Sequence, residues 1–414
     1  MLRWYYWASI FFILQGIQAL DILDRVIYGQ WEGKPGDKLT QSLNLLLILV
    51  SLGLFGRGFL LLRRLRTGTM LSIGLAGFLL LSTLWSVDPQ DTATRAVLYL
   101  FVVIGAIGIA SNLDGDEFMS LLALTCFLSG AASLVLLAVS PANAQVITAD
   151  SVDFRGIFSQ KNVLGEAMVV GALASLHGLR VGNGKRLRYA VILVLVAAVA
   201  FVSKSATSCL TIFAFCGTDA AMTLIRKGGT ARILAICATI SVLPLLIFGA
   251  AFPDSILEMI GKDPTLTGRT DIWTYVLADI YQKPLLGWGY LAFWSPHNLA
   301  AMEISEVFHW FVPQAHNGLL EMLLNVGLIG TVFFIILWVR NVRLAIRCLR
   351  TSEKALAISC LLSCVGVILV GISEIVLIAP FEASTGVFFI TGLMCEKTVR
   401  ATRWGRYPHI TASI

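Results

Sequence analysis

The sequence predicts an all-α polytopic membrane protein of about twelve transmembrane helices, and three observations predict it. First, the 414-residue chain is 57% hydrophobic and only 14% charged, whereas average soluble domains carry roughly 25% charged residues. Second, apolar runs recur along it, each matching the roughly 17–25 residues a helix needs to cross a bilayer. Third, its basic residues gather in alternate loops, the pattern that fixes orientation in a membrane.

In chain order the predicted spans are 4–20, 43–62, 69–86, 95–111, 118–139, 163–180, 189–204, 207–225, 232–252, 317–339, 355–379 and 384–396. The first has no small-residue cleavage site after it and reads as a retained span rather than a signal peptide. One set of loops, with both termini, holds RRLR (63–66), KRLR (185–188) and RNVRLAIRCLR (340–350). Its acids are Asp114, Asp116, Glu117, Glu353 and Glu396. The opposite set is acid-rich. The positive-inside rule therefore places both termini in the cytoplasm. The net charge of +6 is then a topology signal rather than a nucleic-acid footprint. Residues 1–414 read as a single integral membrane domain. All eight cysteines lie in spans or on the cytoplasmic side, so no disulfide framework is expected. Packing accounts for the Cys360/Cys364 pair.

Three outward segments stand out: 21–42, 140–162 and 253–316. The third, a periplasmic loop before the tenth span, is the longest. Within it TDIWTYVLADIY (270–281) repeats its apolar residues at helical spacing, as a helix lying on the membrane or capping the bundle would. Pro284, Gly287 and Gly289 then break that helix. Trp273, Trp288, Trp294 and Trp310 suit a membrane–water interface. A loop of this length is usually a lid or binding element. ATP and nucleotide sugars are not normally available on the outer face, so energy for any synthesis must be stored in the substrate.

His316, at the outward mouth of the tenth span, is the best candidate for a general base, because imidazole titrates near neutrality. A capping histidine would look the same in sequence. His297 and His309 share the loop; His177 and His409 fall on the cytoplasmic side. Arg155, Lys161, Lys204 and Arg269 are cations on an acid-rich face, where arginine forks and helix N-termini can hold phosphate. Each could instead be a cation anchoring a helix end. Glu166, Asp219, Glu321 and Glu374 are acids within predicted spans, where ionisable groups face partners or wet cavities. Glu166 and Glu321 also sit in the first turns of outward-starting helices, where the dipole favours carboxylates. The chain has no HExxH, no Walker loop and no GxSxG. No metal site and no cofactor are expected.

FRGIFSQKNVLG (154–165), SKSATS (203–208) and the block GRTDIW…KPLLGWGY…AHNGLLEMLLNVGLIG (268–330), with WSVDP (85–89) and Arg95, resemble the O-antigen ligase and polymerase superfamily. This is the superfamily of Wzy/WaaL-like membrane glycosyltransferases, and the nearest branch is the exopolysaccharide polymerization proteins of the ExoQ type. The resemblance covers about residues 70–395. Gln160 stands where many relatives carry His, and Ala206 where many carry Arg or Lys. The resemblance implies a metal-independent, inverting transfer on the periplasmic face. The donor would be an oligosaccharide on undecaprenyl diphosphate and the acceptor a second lipid-linked glycan, with chain-length and export proteins as further partners. It also implies that Arg269 binds the diphosphate and His316 activates the acceptor hydroxyl. Arg155, Lys161, Asn162, Lys204, Asn317 and Glu321 would complete the substrate contacts. The ExoQ-like wording favours a polymerase over a ligase. A transporter or flippase is the alternative of another class, but its expected similar halves are not visible.

Overall fold

The computed structural model describes residues 4–23, 38–58, 66–147, 152–182, 184–227, 269–375 and 378–403. In order these form α1 (Trp4–Gly16), α2 (Lys38–Gly58), α3 (Arg66–Leu81), α4 (Pro89–Asn112) and α5 (Gly115–Val139). A hairpin of β1 (Gln145–Ile147) and β2 (Val152–Phe154) comes next. Then come α6 (Lys161–Val181), α7 (Arg186–Val202), α8 (Ala206–Lys227), α9 (Arg269–Gln282), α10 (Leu299–Phe308), α11 (Gly318–Cys348), α12 (Lys354–Val370) and α13 (Ala383–Arg403). The hairpin is antiparallel, with Gln145 opposite Phe154. Among the described residues, seven helices are long and apolar enough to cross a membrane. The predicted span 232–252 lies outside the described residues.

Local chemistry sets the helix ends. Asp88 caps α4 by accepting from Asp91 N, with Pro89 at the first helical position, where a missing N–H costs nothing. Asp114 and Glu117 form a reciprocal capping box on α5. Apolar side chains such as Leu45, Leu49 and Leu52 of α2 are exposed, as expected of a bundle whose surroundings are hydrocarbon.

The region before α11 is a folded cap with its own core. Ile272 and Val276 of α9, Ala301 and Ile304 of α10, and Phe293, Val312 and Ala315 pack together. Helix α10 carries no span-like signal, and the sequence reading does not include it. Three of the four loop tryptophans turn inward rather than to an interface: Trp273 donates to Ala315 O at 2.8 Å, Trp288 to Asp279 O at 3.0 Å and Trp294 to Glu321 at 2.9 Å. Trp310 alone of the four stays largely exposed.

The KPLLGWGY segment, expected to be a helix breaker, clips the cap onto the bundle. Helix α11 is interrupted at Gly327, with φ 62° and ψ −168°. There Leu328 N and Ile329 N donate to Pro284 O and Leu285 O, while Trp288 N and Gly289 N donate to Leu324 O and Asn325 O. The segment thus satisfies the backbone groups that the break exposes. A Cβ on Gly327 would sit 2.3 Å from Leu285 O, so only glycine fits. WSVDP holds the clip from the other side: Val87 N donates to Trp288 O and Thr92 to Tyr290 O.

Helix α12 ends at Val370 rather than near 379 as expected, because Gly371 closes it. Glu374 therefore lies on a turn and not inside a helix. That turn meets the starts of α6, α8 and α11 and the cap at one end of the bundle. The other end collects ion pairs of Arg180, Arg340 and Arg400.

Candidate active site

At the cap end the chain brings together motifs separated by more than 150 positions. Asn162 Nδ2, from the QKN motif that opens α6, donates to Glu374 Oε1 at 2.6 Å. Gln314 Nε2 lies 3.5 Å from the other carboxylate oxygen and 3.1 Å from His316 Nδ1. Thr207, in the SKSATS turn, bonds Ser373 at 2.8 Å. Gly318 N donates to Gly371 O at 2.7 Å, and a Cβ on Gly318 would meet that carbonyl at 2.7 Å. Three of the motifs singled out from sequence thus converge on the turn after α12.

His316 is half-buried with φ 51°, a conformation that costs a non-glycine residue about 1–3 kcal/mol. Asn317 stabilises the start of α11: its Oδ1 accepts from Leu319 N and Leu320 N, both at 3.1 Å, a cap worth about 1 kcal/mol. Asn317, expected to contact substrate, is therefore engaged as a helix cap. With the Gln314 amide donating to Nδ1, the ring proton of neutral His316 sits on Nε2. With the amide turned, Oε1 would accept from Nδ1–H and leave the Nε2 lone pair free.

The cations gather on the β hairpin. Lys161 pairs with Asp153 at 2.8 Å, Lys204 donates to Val152 O at 3.2 Å with φ 59°, and Arg155 directly follows β2. So three of the four expected cations share one patch, two of them already held by the hairpin. Arg269 opens α9, and its side chain lies outside the described residues. One turn on, Trp273 binds the carbonyl of Ala315, which precedes His316. The start of α9 is thus anchored beside the histidine, with Arg269 about 6 Å of helix rise further out.

Glu321, expected to contact substrate, is held by three donors of the protein itself. It is fully buried and accepts from Trp294, from Asn325 Nδ2 at 2.8 Å and from Ala315 N at 2.9 Å. A carboxylate has room for about four donors, so this set largely fills it. Glu166 lies in the second turn of α6, past the reach of the N-terminal dipole, and hydrogen-bonds Glu382. Asp219 is paired with Arg180 at the opposite end.

Beside the network opens a cavity of about 800 Å³, lined by Asp88, Asp91, Arg95, Trp294, His297 and Phe311 among others. Ser295 donates to Asp88 at 2.7 Å, and this bond holds the Asp88 carboxyl below its ordinary value, helped by Asp91 N. Arg95 makes a two-point contact with Asp91, at 3.0 and 2.9 Å. His309 ends α10 in a left-handed turn and does not line the cavity. Sequence reasoning missed Gln314, Asp88 and Asp91. Gln314 carried the one available signal, as a polar residue two positions from His316 in an otherwise apolar run. Among the described residues, no cluster of three His, Cys, Asp or Glu side chains could hold a metal ion.

Residues 191–335, from α7 into α11, match the O-antigen ligase family. Over 275 residues, 62% of this chain, the sequence is 27% identical to the exopolysaccharide production protein ExoQ of Rhizobium meliloti (strain 1021). Both matches place the chain with the O-antigen ligase and polymerase superfamily. The family match contains SKSATS, Arg269, the glycine clip and His316, and stops short of QKN. The chain spans 60% of the length of that relative.

Proposed function

We propose that the protein is a glycan polymerase that joins lipid-diphosphate-linked repeat units at the cap end of the bundle. In this reading the membrane is crossed twelve times, both termini are cytoplasmic and the cap lies in the periplasm. The donor is an oligosaccharide on undecaprenyl diphosphate and the acceptor a hydroxyl of a second lipid-linked glycan. His316 Nε2 takes the hydroxyl proton, the oxygen bonds the anomeric carbon with inversion, and the carbon–oxygen bond to the diphosphate breaks. The lipid diphosphate leaves with the electron pair. Arg269 and the hairpin cations stabilise that developing charge, a contribution that is large wherever positive groups are fixed in advance. No metal is required. For His316 to act as base, the Gln314 amide turns its oxygen to Nδ1–H, giving up its 3.5 Å contact with Glu374.

The observation that carries this reading is the Asn162–Glu374–Gln314–His316 chain. It links the histidine to the motif that carries Lys161, and Trp273 links the neighbouring Ala315 to α9, which supports a site of the kind that glycosyl transfer from a diphosphate needs. The family description favours one second reading, a ligase that moves finished glycan to another acceptor. Purified protein incubated with a defined lipid-linked repeat unit, without metal or nucleotide, separates the two. A ladder of products identifies a polymerase. Turnover only after a different acceptor is added identifies a ligase, and no turnover in either case rejects both.

A further inference from the structure

The 800 Å³ cavity lies against the network but differs from the hairpin in charge. Its titratable lining is Asp88, Asp91, Glu321, Arg95 and His297. Arg95 is the single permanent cation among them, and its fork is already occupied by Asp91. An anionic diphosphate placed here would face the carboxylates of Asp88 and Asp91, so the cavity repels the group that the hairpin attracts. Its other lining is amphipathic. Trp294, Phe311, Pro313 and Ile375 supply apolar surface, and Gln41, Gln90 and Thr94 supply neutral donors and acceptors. Small-molecule pockets of roughly 300–1,000 Å³ combine apolar walls with a few fixed polar groups. A ligand matched to these walls is uncharged, carries many hydroxyls and has apolar C–H faces, which describes a short stretch of sugar rings.

Position decides which sugar. Pro313 and Ile375 line the cavity, while their neighbours Gln314 and Glu374 belong to the His316 network. The cavity therefore adjoins the His316 network, which Asn162 ties to the motif that carries Lys161. We propose that this cavity is the acceptor subsite, holding the terminal sugar rings of the acceptor glycan, with the Asp91–Arg95 pair and His297 as its hydroxyl-reading groups. This rests on the transferase reading above. The preformed contacts suit it: Trp294 is held in place by Glu321 and the loop bearing His297 by Asp88 through Ser295. Neither positioning group needs to move for a sugar to enter.

The test uses the full-length protein in detergent and two probes: phosphate-free oligosaccharides of one to three repeat units cut from the host's own surface polysaccharide, and inorganic pyrophosphate. Binding is read by calorimetry and saturation-transfer NMR. The variant is Asp91→Asn with Arg95→Gln, which removes both charges of a solvent-accessible pair together and leaves the helix cap at Asp88 intact. The expected result is at least a tenfold loss of oligosaccharide affinity with pyrophosphate affinity unchanged, and no competition between the two probes in the wild type. His297→Ala should also weaken the oligosaccharide selectively. Wild-type protein that fails to bind the oligosaccharide, unchanged affinity in both variants, or pyrophosphate displacing the sugar would each overturn the assignment. Because these are binding measurements, they stand apart from the turnover assay. Selective sugar binding without turnover would sink the transferase reading alone, and turnover with unchanged sugar affinity would sink the subsite alone.

Discussion

Two nearly inaccessible carboxylates, Glu321 at the cap end and Glu396 at the basic end, are satisfied in opposite ways. Glu396 meets Arg340, Arg400 at 2.8 Å and Gly68 N at 3.0 Å. Glu321 meets an indole, a primary amide and a backbone N–H. The first arrangement cancels charge and ties α11 to α13. The second supplies only neutral donors and no countercharge. Two further acids show a similar contrast. Arg180 holds Asp219 and Lys397 fills the carbonyls of Ala110 and Leu113, whereas Glu374 is approached by the amides of Asn162 and Gln314. A bundle end that is only a closure can neutralise its charges; under the proposed function the cap end would receive charged and hydroxylated substrates.

That contrast can be broken at either end. The largest effect is expected from His316→Ala: a loss of chain extension of about 10²–10⁴-fold, the usual range for a general base, with protein level and donor binding retained. Polymer of near-normal length on a gel would remove His316 from the chemistry. Next, Glu396→Ala strands two arginines and should cost about 3–5 kcal/mol of stability, as breaking a buried pair does. It should lower the melting temperature in detergent without changing the length distribution of the product. A shifted distribution at unchanged melting temperature would place the basic end in the reaction as well.

Glu321→Gln turns an acceptor of three donors into a group with two donors of its own. About 1–3 kcal/mol of stability should be lost for each buried donor left unmet, visible as earlier loosening of the cap by hydrogen exchange in 269–316. Were Glu321 a substrate contact instead, KM would rise while exchange stayed as in the wild type. Arg269→Ala should weaken donor binding roughly tenfold or more, and Arg269→Lys should restore it only in part because the planar fork is lost. Equal donor affinity in all three proteins counts against a diphosphate role.

The smallest effect concerns Asp88. Its folded-state value is depressed, chiefly by the Ser295 hydroxyl, so its stabilising contribution is present above the ordinary aspartate range near 3.9. It is lost as pH falls through the lower folded value. The gap in melting temperature between wild type and Asp88→Asn should therefore be present at neutral pH and close in acid. A gap that holds constant into acid would mean that the cap geometry, not the charge, matters.

Hydropathy alone was enough to mark the seven helices among the described residues that are long and apolar enough to cross a membrane, because a span must satisfy its own backbone hydrogen bonds and so advertises itself in composition. It misplaced the end of α12, where an apolar run from 371 to 379 conceals a turn closed by Gly371. It also gave no sign of α10, which is short and packs within the cap. Among site residues, Arg155, Lys161 and Lys204 could be marked as odd cations on an acidic face, but that they share one hairpin is a fact of folding. The partners of Glu374 and Asp219 were invisible in sequence because each contact spans tens to hundreds of positions.

By itself the sequence determined the apolar helices long enough to cross a membrane, the likeness to the O-antigen ligase and polymerase superfamily and the candidate residue types for its chemistry, since these depend on local composition and short motifs. Only the tertiary structure decided that Glu321 is held by Trp294, Asn325 and Ala315, that the glycine motif plugs a break in α11, and that Pro313 and Ile375, next to Gln314 and Glu374, line one cavity with Asp88 and Asp91. Those outcomes depend on which helix ends meet, and that is set by packing across the whole bundle, which no single stretch of chain encodes.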